Sequence, residues 1–174
     1  MEQAAQIKLH IGCGDKKRSG FTNIDVRETS ATDMVSEAWD LRAFDDGIVD
    51  EIYSRHMIEH LHPKNVRMAL SEWYRVLKPR GVLHIICPDL EFHCKQYLGL
   101  IDSCFHNQRE HALASIYGWR SGAFGGEEFD LHRWGYDLED LSNLMGQSGF
   151  ALTERVREGE DSEPWHLNAK YIRI

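Results

Sequence analysis

The chain is 174 residues long, enough for one hydrophobic core and short for two. Its hydrophobic fraction of 42% and charged fraction of 28% are ordinary for a globular domain, and no apolar run approaches the roughly 20 residues that span a bilayer. A net charge of −8, with Lys16-Lys17-Arg18 the only basic run, excludes a broad nucleic-acid footprint, which needs clustered Lys and Arg.

The opening MEQAAQIKLHIG lacks the charged stretch and apolar core of a secretory leader. The cysteines Cys13, Cys87, Cys94 and Cys104 include no C-x-x-C pair, so neither a disulfide framework nor a zinc knuckle is expected. Together these features predict a reducing, cytoplasmic setting.

Ile7, Leu9 and Ile11 predict a first strand, which Gly12-Cys13-Gly14 breaks. A second short apolar run then ends on an acid, Asp25. Strand, glycine turn, strand and acid is how α/β proteins hold a nucleoside-bearing cofactor. Glycines let the backbone approach the ligand, and the acid accepts hydrogen bonds from ribose hydroxyls. A plain strand–turn–strand fits the same residues, and G-x-G alone does not decide between the two. The next stretch is polar. Asp33 to Val35 is a candidate short strand, Trp39-Asp40-Leu41 follows, and Phe44-Asp45-Asp46-Gly47 signals a turn. Ile48 to Tyr53 then leads as a strand into SRHMIEHLHP.

Pro63 opens a helix, where its missing N–H would have no partner anyway. Val66, Ala69, Leu70, Trp73, Val76 and Leu77 form one apolar stripe along it, and Lys78-Pro79-Arg80-Gly81 is expected to stop it. Val82 to Cys87 is nearly all apolar, as in a strand covered on both faces. Helix followed by apolar strand predicts crossover units and a parallel sheet.

Pro88-Asp89 opens another helix, with Leu90, Cys94, Tyr97, Leu98 and Ile101 on the expected apolar face, and a further helix is predicted over Gln108 to Tyr117. The stretch of about 118–136 contains Gly118, Gly122, Gly125, Gly126 and Gly135, and connections this long are often lids or substrate loops. Its aromatic residues Phe124, Phe129, Trp134 and Tyr136, with Trp119, either cover an acceptor or cap the core; both readings stand. Asp137 caps a helix carrying Leu138, Leu141, Leu144 and Met145, closed by Gly149. Phe150 to Val156 and Trp165 to Ile174, joined by an acidic loop, predict a closing hairpin that adds an antiparallel strand.

The segments HIGCGDKKRSGFTNIDV, DEIYSRHMIEHLHPKNVRMALSEWYRVLKPRGVLHIICPD and LHRWGYDLEDLSNLMGQSGF, in this order, resemble a class I S-adenosylmethionine-dependent methyltransferase. The block from Trp73 to Gly81 is similar to the helix–turn–strand signature of the type 11 branch. The resemblance implies one Rossmann-like α/β domain over residues 1–174, with a seven-stranded, mostly parallel sheet, helices on both faces and an antiparallel last strand. It implies S-adenosylmethionine as cofactor and a small-molecule methyl acceptor, with no metal, nucleic acid or membrane partner. Gly12, Cys13 and Gly14 match the turn that passes the methionine moiety. Asp25 matches the acid that binds the ribose diol, with Val26 beside it. Asp40 and Leu41 resemble the pair beside the adenine, and His56 and Met57 match the end of the fourth strand that lines the cleft. Two departures stand out. The third glycine of the turn is replaced by Lys16, and Gly12 to Asp25 leaves room for at most one helical turn. The cofactor's methionine end is then left to loop backbone, with Lys16 or Arg18 near its carboxylate.

Methyl transfer from a sulfonium is an in-line displacement, and a general base is needed only when the acceptor must lose a proton. The candidates are Glu59, His60, His62 and His132, with the alternative that Glu59 and His60 only order their loop. Two other functions fit parts of the same sequence. A non-catalytic cofactor- or partner-binding module would explain the shortened first helix. His56-Met57-Ile58-Glu59-His60 also reads H-x-x-E-H, a zinc metalloprotease signature in which both histidines ligate and the glutamate polarises water. That reading needs a helix, but the residues before it read as a strand and Pro63 starts the helix too late.

Overall fold

The computed structural model describes residues 5–119 and 128–174. The strands are β1 (Lys8–Ile11), β2 (Thr22–Asp25), β3 (Met34–Val35), β4 (Val49–Arg55), β5 (Leu77–Pro88), β6 (Phe150–Arg155) and β7 (His166–Arg173). The helices are α1 (Pro63–Val76), α2 (Leu90–Tyr97), α3 (Gln108–Tyr117) and α4 (Leu138–Gln147), with single 3-10 turns at Ile58–His60 and Glu128–Asp130. One seven-stranded sheet runs β3-β2-β1-β4-β5-β7-β6. It is parallel from β3 to β5, and β7 is antiparallel to both its neighbours. This is the expected class I, Rossmann-like arrangement. No helix among the described residues is long and apolar enough to cross a membrane.

The ladder register sorts the side chains into two faces. Leu9 pairs with Ile52, Ile52 with Leu83 and Leu83 with Tyr171, while Ile11 pairs with Ile24. These residues form the main core with the stripe Val66, Ala69, Leu70, Trp73 and Val76 of α1 and with Leu141 and Met145 of α4. The stripe read from the sequence is therefore the buried one. Trp73 also donates Nε1–H to the carbonyl of Ala38 at 2.7 Å, fixing the chain after β3 to α1.

The opposite face carries His10, Asn23, Tyr53, His84 and Asn168. The Tyr53 ring meets His10 and His84 edge to face at 5.2 and 5.1 Å. No helix lies between Gly12 and Phe21, so loop residues close this face. The Arg18 guanidinium stacks 4.0 Å from the Tyr53 ring centroid, and Phe21 packs edge-on to the same ring. Asn23, fully buried, pins the loop. Its Nδ2 donates to the carbonyls of Arg18 and Phe21 and to Asp33 Oδ2, and its Oδ1 accepts from the Arg18 N–H.

Two expectations need correction. Lys78 to Gly81 does not stop the helix ahead of a strand. Leu77 is already extended and pairs with Val49, and the four residues form an irregularity inside β5, with Arg80 at φ +64°. The buried face of α2 is polar: His93 and Gln96 are inside, while Cys94 and Leu98 of the expected apolar face are exposed. The reason is a hydrogen-bonded layer between α2 and α3, in which Gln96 Nε2 donates to Ser103 Oγ and Gln108 Oε1. Of the other thiols, Cys104 is exposed, whereas Cys13 and Cys87 are buried with their pKa values raised by desolvation.

Candidate active site

A cavity of about 1060 Å³ opens at the C-terminal ends of β1, β2, β4 and β5, where the strand order reverses. This is where open parallel sheets bind ligands. One half is walled by the turn after β1 and by the ends of β2 and β3, and the other is walled by histidines.

The glycine half is built from contacts that tolerate little change. Gly12 sits at φ +75°, and a Cβ placed on it would lie 2.2 Å from Met57 Cγ. Its N–H and that of Cys13 both donate to the Ile24 carbonyl, tying the turn to β2. Asp25 is buried at the end of β2. Its Oδ2 accepts the Gly14 N–H at 2.7 Å and its Oδ1 accepts the Arg27 N–H at 2.9 Å. Gly12, Cys13, Gly14, Asp25, Val26, His56 and Met57 all line the cavity, as does Lys16. Arg18 does not, because it is turned to the far face.

Asp40 and Leu41 lie elsewhere. Asp40 accepts a hydrogen bond from Arg42 Nε at 2.7 Å, which holds its carboxyl below the usual range. Leu41 is buried in the core, and its N–H donates to Glu72 Oε1. The cavity is lined instead by Ser36, Glu37, Ala38 and Trp39. Glu37 is the first acid after β3, a position the sequence hid because β3 is only two residues long.

The second half gathers His56, His60, His62, His93, His111, His132 and His166. His93, His111 and His166 were not singled out from the sequence, because they come from α2, α3 and β7 and share no local spacing. His166 is pushed down to about 4 by burial and by nearby His56, and His111 to about 4 by burial and by His93. Arg55 grips both oxygens of Asp161, at 2.6 and 2.5 Å, beside the edge-to-face pair His56–His166. Both His56 and Asp161 adopt positive φ, +47° and +54°, a strain that tends to collect at functional sites.

Glu59 is buried and does not line this cavity. Its carbonyl accepts the N–H groups of Arg133 and Trp134, which straps the segment after α3 onto the turn at Ile58–His60. His60 and His132 meet with ring centroids 4.7 Å apart. Nδ1 of His60 faces the Leu131 carbonyl at 3.2 Å, and Nδ1 of His132 faces the Ser115 carbonyl at 2.8 Å. A carbonyl only accepts, so each ring donates from Nδ1, and in the neutral ring the lone pair lies on Nε2. H-x-x-E-H lies on a strand end and a 3-10 turn, and no cluster of possible ligands among the described residues contains both His56 and His60. The metalloprotease arrangement is not formed. Trp119 and Phe129 line the cavity, Tyr136 is in the core, Trp134 is exposed, and Phe124 lies outside the described residues.

Residues 9–85 match a family model described as a methyltransferase domain, of type 11. The sequence matches none of the curated proteins. Among solved structures, the chain is similar to a SAM-dependent methyltransferase from Methanosarcina mazei, at 21% identity and a TM-score of 0.60, covering 98% of this chain and 92% of that one. It is similar to a protein from Pyrococcus horikoshii OT3, at 18% identity and a TM-score of 0.63, covering 98% and 83%. A third is 1,6-didemethyltoxoflavin-N1-methyltransferase from Burkholderia thailandensis, solved with 1,6-didemethyltoxoflavin and S-adenosylhomocysteine, at 13% identity and a TM-score of 0.62, covering 96% and 70%. At such identities the likeness speaks for the fold.

Proposed function

We propose, from the type 11 methyltransferase model matched over residues 9–85, that the chain is an S-adenosylmethionine-dependent methyltransferase that methylates a small molecule held in the histidine-lined half of the cavity. The observation that carries this reading is one continuous cavity with a glycine-and-carboxylate cradle at one end and imidazoles at the other.

The residues present fit the cofactor. The missing side chain at Gly12 lets Met57 pack directly against the turn, and both residues line the cavity. Each oxygen of Asp25 spends one lone pair on a backbone N–H and keeps another for a ribose hydroxyl. Gly12, Cys13 and Gly14, with Lys16, would hold the methionine end; Val26 would flank the ribose; Glu37 and Ala38 take the adenine side in place of Asp40 and Leu41. When bound, S-adenosylmethionine supplies a methyl group on a sulfonium, displaced in line. The protein's part is to orient the acceptor and exclude water. The Nε2 lone pairs of neutral His60 and His132 suit removal of an acceptor proton.

A melting curve with S-adenosylmethionine tests the cofactor half. At a hundredfold excess over the dissociation constant, binding stabilises by about 2.7 kcal/mol, which raises Tm by about 5–11 °C for a chain of this length. An unchanged Tm at millimolar cofactor would overturn the reading. Transfer of labelled methyl from the cofactor into a small-molecule extract tests turnover. Binding without transfer to any extract would favour the second reading, a cofactor-binding module without catalysis, which the helix-free connection after β1 supports.

A further inference from the structure

We propose that Glu59, His60 and His132 form a binding site for one divalent transition-metal ion in the wall of the acceptor half of the cavity. One possible ligand atom from each residue lies within 4.8 Å of the other two. A metal ion with ligand distances of about 2.0–2.2 Å could be reached by all three after small side-chain adjustments.

Three observations single out this cluster. Glu59 Oε2 is buried and accepts no hydrogen bond among the described residues. Its partner oxygen Oε1 has only His56 Nδ1, at 3.3 Å. A buried carboxylate with an unpartnered oxygen is costly unless a cation meets it. Second, both histidines have Nδ1 fixed on a backbone carbonyl, and neither Nε2 has a hydrogen-bond partner among the described residues. That is how metal-ligating histidines are held, with the far nitrogen bonded to an outer partner. Third, the ligands come from two distant segments that are already joined, because the Glu59 carbonyl accepts the N–H groups of Arg133 and Trp134.

The neighbouring cluster His56, Asp161 and His166 is equally close-set but differently neutralised. Arg55 already occupies both Asp161 oxygens, so no charge there calls for a metal. Two imidazoles and one carboxylate favour zinc, cobalt or nickel over magnesium or calcium. An ion at Glu59 would keep a coordination position for an acceptor oxygen and would make a bound hydroxyl more acidic, replacing a general base.

The test uses the tag-free full chain, stripped with chelator and titrated with zinc by calorimetry and with cobalt by visible absorption, without cofactor. The expected result is one equivalent bound, with affinity reduced tenfold or more in each of Glu59→Gln, His60→Ala and His132→Ala, and changed less than twofold in His166→Ala. His60 is only partly buried, so its variant keeps the test readable if Glu59→Gln misfolds. No bound metal, binding that survives the His60→Ala/His132→Ala double variant, or binding lost in His166→Ala would overturn the proposal. The cofactor-dependent Tm shift is read separately, so failure here leaves the proposed methyl transfer standing.

Discussion

Gly12 and Asp25 line the cavity, as their places in the sequence suggested. Each was legible because its chemistry is local: a glycine breaking a strand, and an acid ending the next one. The prediction at this scale is that Gly12→Ala removes the cofactor-dependent rise in Tm. The added Cβ would sit 2.2 Å from Met57 Cγ at a positive φ, so the folded chain should also lose about 1–3 kcal/mol in denaturant unfolding. A variant that melts and binds like the parent would show that the turn does not form the cradle. Asp25→Asn should weaken binding as well, because an amide nitrogen cannot accept the N–H of Gly14 or Arg27. That Glu37 rather than Asp40 lines the cavity was hidden for a physical reason. A two-residue strand has no alternation to fix its register, so the first acid past it, Glu37, could not be told from the third residue beyond. The histidines from α2, α3 and β7 were invisible because only the closed fold brings them together.

Among the elements, α1 and α4 were readable from their apolar stripes and α2 was not. Its buried face consists of His93 and Gln96, and a polar layer has no hydrophobic period. The connection from β1 to β2 is the other departure. Its shortness was visible in the spacing, but not what replaces a helix there: Arg18 and Phe21 laid over Tyr53, all hanging from Asn23. Asn23→Ala would remove the side-chain partner of the Arg18 and Phe21 carbonyls, of the Arg18 N–H and of the buried His10 ring. We expect a loss of about 2–3 kcal/mol in urea unfolding. A loss under about 0.5 kcal/mol, typical of a surface site, would mean the loop is held by something else.

Over the whole molecule, neutral histidines are structural on both sides of the sheet. Burial holds His10 and His84 on the far face, and His93 and His111 between α2 and α3, below the ordinary histidine value of 6.5. The unfolded chain therefore takes up protons first as pH falls. Stability from these groups is complete above about 6.5 and declines as pH drops through that value, until the folded groups titrate too, at about 4 for His111. Melting temperature should hold from pH 8 to 7 and then fall steadily toward pH 5. A flat profile across pH 7 to 5 would show that these rings are not held neutral.

The uneven shielding of the sulfur atoms has a practical use. Cys94 and Cys104 stand open to solvent on and beside the helical pair α2 and α3, which lines the cavity, while Cys13 and Cys87 are sealed in. A maleimide dye should label the folded chain at two places and the denatured chain at four. The native sequence thus comes with its own fluorescent reporter sites, on and just after α2.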